Sequence, residues 1–189
     1  MASETIHYRQ YLRDMVRIYG FYDQGKFDSV EADELRDAME APWYCLAQHE
    51  QTRVRGLALD LNSIRDPKRI DIETDERGRG QLIAATELRN RGELDEALNL
   101  LRAWKDVIDP ASISFLRGQI WTEFNVDEIA AEFLRDAWQS ENRKKPFLTT
   151  YLQVLSRVNL DEANRIASAA IAASDGIVAF GDPKLRTPA

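Results

Sequence analysis

Apolar residues recur at intervals of three and four along most of the chain, the spacing of helices that bury one face. In the stretch GELDEALNLL, Leu94, Ala97, Leu98 and Leu101 fall on one such face behind Gly92. Leu82, Ala85 and Leu88 form the stripe of a preceding helix, so 79–107 reads as two helices with a tight turn at Arg91-Gly92. Positions 4–19 carry Ile6, Tyr11, Leu12, Met15, Val16 and Tyr19, and Gly20 and Gly25 bracket a turn. Asp28 followed by Glu31 has the spacing of a capping box, and Val30, Leu35 and Met39 carry a helix to a stop at Pro42. A further helix over 49–64 has Val54, Leu57, Leu61 and Ile64 as its stripe. The charged stretch 66–80 has little periodicity and reads as a linker or exposed loop, with Gly78 and Gly80 as flexible-loop glycines. Helix 161–173 is rich in Ala and Ile and is expected to end at Asp175-Gly176. Ile177, Val178, Ala179 and Phe180 are expected to fold back over it; the alternative is cover by a partner or a second copy.

The stripes repeat. A step of 33 takes Ala85 to Gly118 and then to Tyr151, and Leu88 to Trp121 and then to Val154. The same step takes Ala97 to Ala130 and Ala163, Leu101 to Leu134, and Trp104 to Ala137 and Ala170. Leu82, Phe115 and Leu148 share one register as well. A lone helical hairpin cannot bury its apolar face, whereas about three stacked copies can. Small residues let paired helices approach, and large ones fill the space between hairpins.

This pattern resembles the tetratricopeptide repeat (TPR). In that family a small residue and then a large one stand on the first helix. A glycine precedes the second helix, which carries two alanines seven residues apart. Ala85, Leu88, Gly92 and Ala97 match in the first copy; Gly118, Trp121, Ala130 and Ala137 in the second; Ala163 and Ala170 in the third. The chain departs from the family in its period of 33 rather than 34, in Tyr151 at the small position and in Trp104 at the second alanine. Asn125 and Val158 replace the turn glycine, and Pro110 alone stands where a closing proline is expected. The implied fold is all-α: an α-α superhelix of about three TPR-like hairpins preceded by an N-terminal helical segment. The expected organisation is an N-terminal bundle or cap over 1–65, a charged linker over 66–77, three repeats over 78–176 and a tail over 177–189. The resemblance implies a concave face, formed by the first helix of each hairpin, that holds a protein or peptide. Carried onto this register, its residues are Arg79, Thr86, Arg89 and Asn90, then Gln119, Thr122 and Glu123, then Lys145, Leu152 and Ser156. Arginine forks suit carboxylates, so Arg79 and Arg89 fit an acidic peptide end.

Composition narrows the function. The 189 residues are 44% hydrophobic and 30% charged, with a net charge of -7. That balance suits a globular protein, and the acidic charge disfavours duplex nucleic acid and an anionic membrane surface. The cluster Arg143-Lys144-Lys145 reads as a solvated loop. No apolar run reaches the length of a membrane span, and MASETIHYRQ lacks the features of a secretory signal, so the chain is read as cytoplasmic. The one cysteine, Cys45, is expected to be a small buried hydrophobe beside Trp43, Tyr44 and Leu46. Trp43, Trp104 and Trp121 are expected in cores, with Trp138 partly exposed. There is no phosphate-binding glycine loop and no HExxH motif. Glu4 and His7 have the Glu-x-x-His spacing of a di-metal site without its second copy, and His49 reads as a helix-start or surface residue. Neither a catalytic residue, a metal nor a cofactor is expected. The reading is a non-catalytic interaction scaffold or adaptor. The alternatives are a structural homo-oligomer joined through the Ala/Ile-rich helix, or a ligand-binding or enzymatic helical protein.

Overall fold

The computed structural model describes residues 5–64, 73–140 and 145–181, excepting the side chains of Lys145 and of 174–181. Every regular element among them is a helix, and the fold is all-α. In chain order they are α1 (Ile6–Asp23), α2 (Val30–Cys45), α3 (Gln48–Ser63), α4 (Glu76–Asn90), α5 (Leu94–Ala103), α6 (Pro110–Glu123), α7 (Asp127–Gln139), α8 (Lys145–Val158) and α9 (Leu160–Gly181). The chain divides into two compact units, Met1–Asp109 and Pro110–Ala189. The first hairpin of the expected array, α4 with α5, therefore shares a unit with the N-terminal helices.

In the first unit α1 packs on α2 and α3, α3 on α5, and α4 on α5. The core takes Tyr8, Leu12 and Met15 from α1, Ala32, Leu35 and Met39 from α2, and Val54, Leu57 and Leu61 from α3. From α5 it takes Leu94, Ala97, Leu98 and Leu101. Ile6 lies outside this core, exposed at the first position of α1. Gly20 does not end α1, which continues to Asp23; the turn falls at Gly25, whose φ is 69°. The cap of α2 is Ser29, one residue after the expected Asp28, and its hydroxyl accepts from the amide of Ala32. Val30 is 69% exposed, because the buried line of α2 runs through Ala32, Leu35, Met39, Pro42 and Leu46.

Pro42 does not stop α2, which ends at Cys45. The proline removes one amide from the last turn, and the carbonyl it leaves without that partner belongs to Ala38, an exposed residue. The same geometry overturns the expectation for Cys45. It lies off the 32–35–39–42–46 line, and it is exposed. Trp43 is half-buried, 5.4 Å from the ring of Tyr11, with the Arg55 guanidinium 5.3 Å from its own ring.

Gly78 and Gly80 are not loop glycines. Asp75 caps α4 by accepting from the amide of Gly78, and both glycines lie in the helix. Gly78 is buried, and a Cβ there would meet the Val107 carbonyl oxygen and Thr74 Cγ2, each at 2.8 Å. Glycine is needed for that close approach. Of the expected linker, 66–72 lie outside the described residues. Trp104 is half-buried at the C-cap of α5, with Arg77 5.8 Å from its ring.

In the second unit α7 packs on α6 and α8, and α8 on α9. Trp121 is fully buried, among Leu116, Ile120, Ile129, Phe133 and Leu134 in the core. Phe115 stacks on Phe147 at 4.5 Å and joins α6 to α8, over Ala111 and Ala137. Gly118 faces α7 so closely that a Cβ would stand 2.5 Å from Leu134 Cγ. Trp138 is half-buried, as its place beside the stripe predicts. α9 does not stop at Asp175-Gly176 but runs on to Gly181, so 177–180 continue the helix instead of folding back as a separate cover.

Register positions 33 apart share backbone detail. Gly92 and Asn125 are both left-handed, at φ 77° and 59°. At the first closure the Gly92 amide bonds the Arg89 carbonyl and the Glu93 amide bonds that of Leu88, at 2.8 and 2.9 Å. At the second, the Asn125 amide bonds Thr122 and the Val126 amide bonds Trp121, at 3.0 and 3.2 Å. Both are Schellman closures, in which a left-handed residue turns two amides back onto the end of the helix. Ala97, Ala130 and Ala163, each the fourth residue after its closure's last amide or its equivalent, are all buried.

Candidate partner-binding surface

The residues of the expected groove are divided between the units. Arg79, Thr86, Arg89 and Asn90 are on α4 in the first unit. Gln119, Thr122 and Glu123 are on α6, and Lys145, Leu152 and Ser156 on α8, in the second. Each set lies on the helix expected for it. Lys145 opens α8, but its side chain is outside the described residues, as are Arg143, Lys144 and Glu4.

On α4, Arg79 and Asn90 are exposed and Thr86 and Arg89 half-buried. The Arg79 Nε donates to the carbonyl of Thr74 at 3.4 Å, a long bond that leaves most of the guanidinium facing outward. On α6, Gln119 and Thr122 are half-buried and Glu123 is exposed; on α8, Leu152 is half-buried and Ser156 exposed. The step of 33 aligns Thr86 with Gln119 and Leu152, and Asn90 with Glu123 and Ser156.

The hydroxyls in this set share one habit. Thr86 Oγ1 donates to the carbonyl of Leu82 at 2.8 Å, Thr122 Oγ1 to Gly118 at 3.0 Å, and Ser156 Oγ to Gln153 at 2.9 Å. A hydroxyl has one proton to give and two lone pairs. With the proton committed to the helix, each oxygen keeps only acceptor capacity. Thr122 and Ser156 thus keep acceptor capacity on α6 and α8, whereas the exposed Arg79 is a donor on α4.

Other polar groups carry the internal order, and apolar periodicity did not point to them. Arg53 Nε donates to Asp95 Oδ1 at 3.1 Å, between α3 and α5, with its guanidinium 5.1 Å from the Tyr8 ring. Burial raises the Asp95 carboxyl above its ordinary value, the attraction of Arg53 works against the rise, and Glu96 adds to it. Arg102 Nη1 donates to the carbonyl of Gly56 at 2.5 Å. Arg157 grips Asp127 with two bonds of 2.8 and 2.7 Å, which ties the end of α8 to the start of α7. Burial raises the Tyr151 phenol, and Arg135 opposes it. His7 and His49 are exposed. Among the described residues no three His, Cys, Asp or Glu side chains are grouped to hold a metal ion, and no helix is long and apolar enough to cross a membrane.

No family model matches the chain, and no curated protein or solved structure matches it either.

Proposed function

We propose that α4–α5, α6–α7 and α8–α9 are TPR-like hairpins and that the chain is a non-catalytic scaffold that binds a protein or peptide through the first helices of those hairpins. The observation that carries this reading is the recurrence, 33 positions apart, of one Schellman closure at Gly92 and at Asn125. Buried alanines at 97, 130 and 163 accompany it. Unrelated hairpins have no reason to keep turn, register and small-residue position together. A helical array of this kind offers side chains along successive first helices as an extended contact surface. On α4 the exposed Arg79 suits a carboxylate of the partner, and in the second unit Thr122 and Ser156 suit its NH donors.

The test is affinity capture from native lysate with two folded variants beside the wild type. One carries Arg79→Glu and Arg89→Glu; the other carries Gln119→Ala, Thr122→Val and Glu123→Lys. A partner bound by the wild type and lost by either variant supports the reading and assigns the contact to α4 or to α6. A partner kept by both moves the contact off these helices. Absence of any stoichiometric partner counts against the scaffold.

A further inference from the structure

The register position that closes the first two hairpins is Val158 in the third, and there the closure differs. Valine is a poor left-handed residue because its branched Cβ crowds the backbone. Val158 stays inside α8, and Asn159 alone separates it from Leu160, the first residue of α9. The Asn159 amide bonds the Leu155 carbonyl at 2.6 Å, and the Ala163 amide bonds the Asn159 carbonyl at 3.1 Å. The first spans four residues, the spacing of an unbroken α-helix, where the first two closures have the longer bonds of Glu93 to Leu88 and Val126 to Trp121; the second has counterparts at Ala97–Glu93 and Ala130–Val126. The Glu162 amide, whose partner in a continuous helix would be the carbonyl of Val158, is instead bound by Asn159 Oδ1 at 3.1 Å. The helical pattern of α8 thus runs through Asn159, and one residue separates α8 from α9 where three separate the helices of the first two hairpins.

α9 is also lightly held. Its main partner is α8. Among its described side chains Ala163 alone is buried, Ile166, Ala167 and Ala170 are half-buried, and Leu160 is 60% exposed.

We propose that α8 and α9 straighten through Asn159 into one helix and that two copies of the chain exchange α9, each docking on the α8 of the other. Straightening uncovers Ala163 and its half-buried neighbours. A second copy is the one partner whose α8 already has the complementary surface, so exchange restores the same contacts between chains. Short hinges favour such exchange because they hold the closed form under constraint. The proposal is independent of the scaffold reading.

The experiment uses the full chain with Cys45→Ser and spin labels at Thr149→Cys and Ala169→Cys, both exposed sites. Labelled chains are diluted in unlabelled ones so that only the distance within a chain is read. In a straight helix twenty residues span about 30 Å; folded back at Asn159, the pair is closer. The expected result is a dimer that grows from micromolar to submillimolar concentration and carries the long distance. Inserting Gly-Asn-Gly between Val158 and Asn159 relaxes the hinge and should abolish the dimer, with circular dichroism confirming that the variant is folded. Val158→Gly, which permits the left-handed closure, should also reduce it. A chain that stays monomeric at every concentration, or a dimer that keeps the short distance, overturns the proposal.

Discussion

Glu50 holds Thr5 from 45 positions away. Its buried carboxylate accepts from the Thr5 amide at 3.0 Å and the Thr5 hydroxyl at 3.2 Å, and also from the Ala47 amide at 3.0 Å. Thr5 is itself the cap of α1, accepting from the Tyr8 amide at 3.1 Å. One carboxylate therefore caps α3 and fixes the start of α1 against it.

That arrangement makes stability depend on acid. Burial alone would raise the Glu50 carboxyl, but the hydrogen bonds from Thr5 and Ala47, with the pull of His49, together lower it below its ordinary 4.5. A lowered folded value means that the contribution is present above the unfolded value and is lost as pH falls through the folded one. Glu50→Gln, which keeps the shape but not the charge, should cost about 1–2 kcal/mol at pH 7. Urea unfolding of both proteins should show the gap closing in acid, below the folded value; a gap that stays constant with pH would refute the assignment.

Asp95 has the opposite sign. Its raised value means that the fold favours the neutral acid, so the contribution is present below 3.8 and lost as pH rises through the folded value. Asp95→Asn should therefore change stability at pH 7 by less than about 1 kcal/mol in either direction, despite breaking the ion pair with Arg53. In acid the wild type should gain relative to the variant. Denaturant midpoints at the two pH values decide it.

The contact between Gly118 and Leu134 leaves no room for a methyl group. Gly118→Ala should lower stability by about 1–3 kcal/mol, and adding Leu134→Ala should recover part of the steric loss. Thermal unfolding of the two variants would show positive coupling, whereas simple additivity would place the strain elsewhere.

Gly92 and Asn125 offer a paired comparison. Gly92→Ala forces an alanine to φ 77° and should cost about 1 kcal/mol. Asn125→Gly should be neutral or slightly stabilising, and Asn125→Val should destabilise by about 1–2 kcal/mol. Equal melting temperatures for Asn125→Gly and Asn125→Val would mean that the turn relaxes when substituted.

The helices and their buried stripes were legible because burial follows a period that side-chain polarity records. Leu94, Ala97, Leu98 and Leu101 illustrate this, and so does the turn at Gly92. Features set by one interatomic approach were not legible. Gly78 looked like a loop residue because nothing local announces that Val107 passes 78's missing Cβ. Pro42 looked like a stop because the sequence does not say whether the residue whose carbonyl it strands is exposed. Cys45 looked buried from its neighbours in sequence, whereas the helix places it off their line. Of the proposed contact surface, the helices that carry the residues were readable. The hydroxyl protons turned inward at Thr86, Thr122 and Ser156 are a detail that only coordinates reveal. Glu50 carried the weakest signal of all, since its role depends on Thr5, far away in the chain.

The exposure of Cys45 also makes the chain its own reporter. A single thiol that faces solvent can be alkylated once, at a known address, without engineering. It lies two residues after Trp43, whose indole rests against Tyr11 of α1. An environment-sensitive dye attached there sits beside the Trp43–Tyr11 contact of the first two helices, so its emission follows, in real time, whether α1 stays on α2.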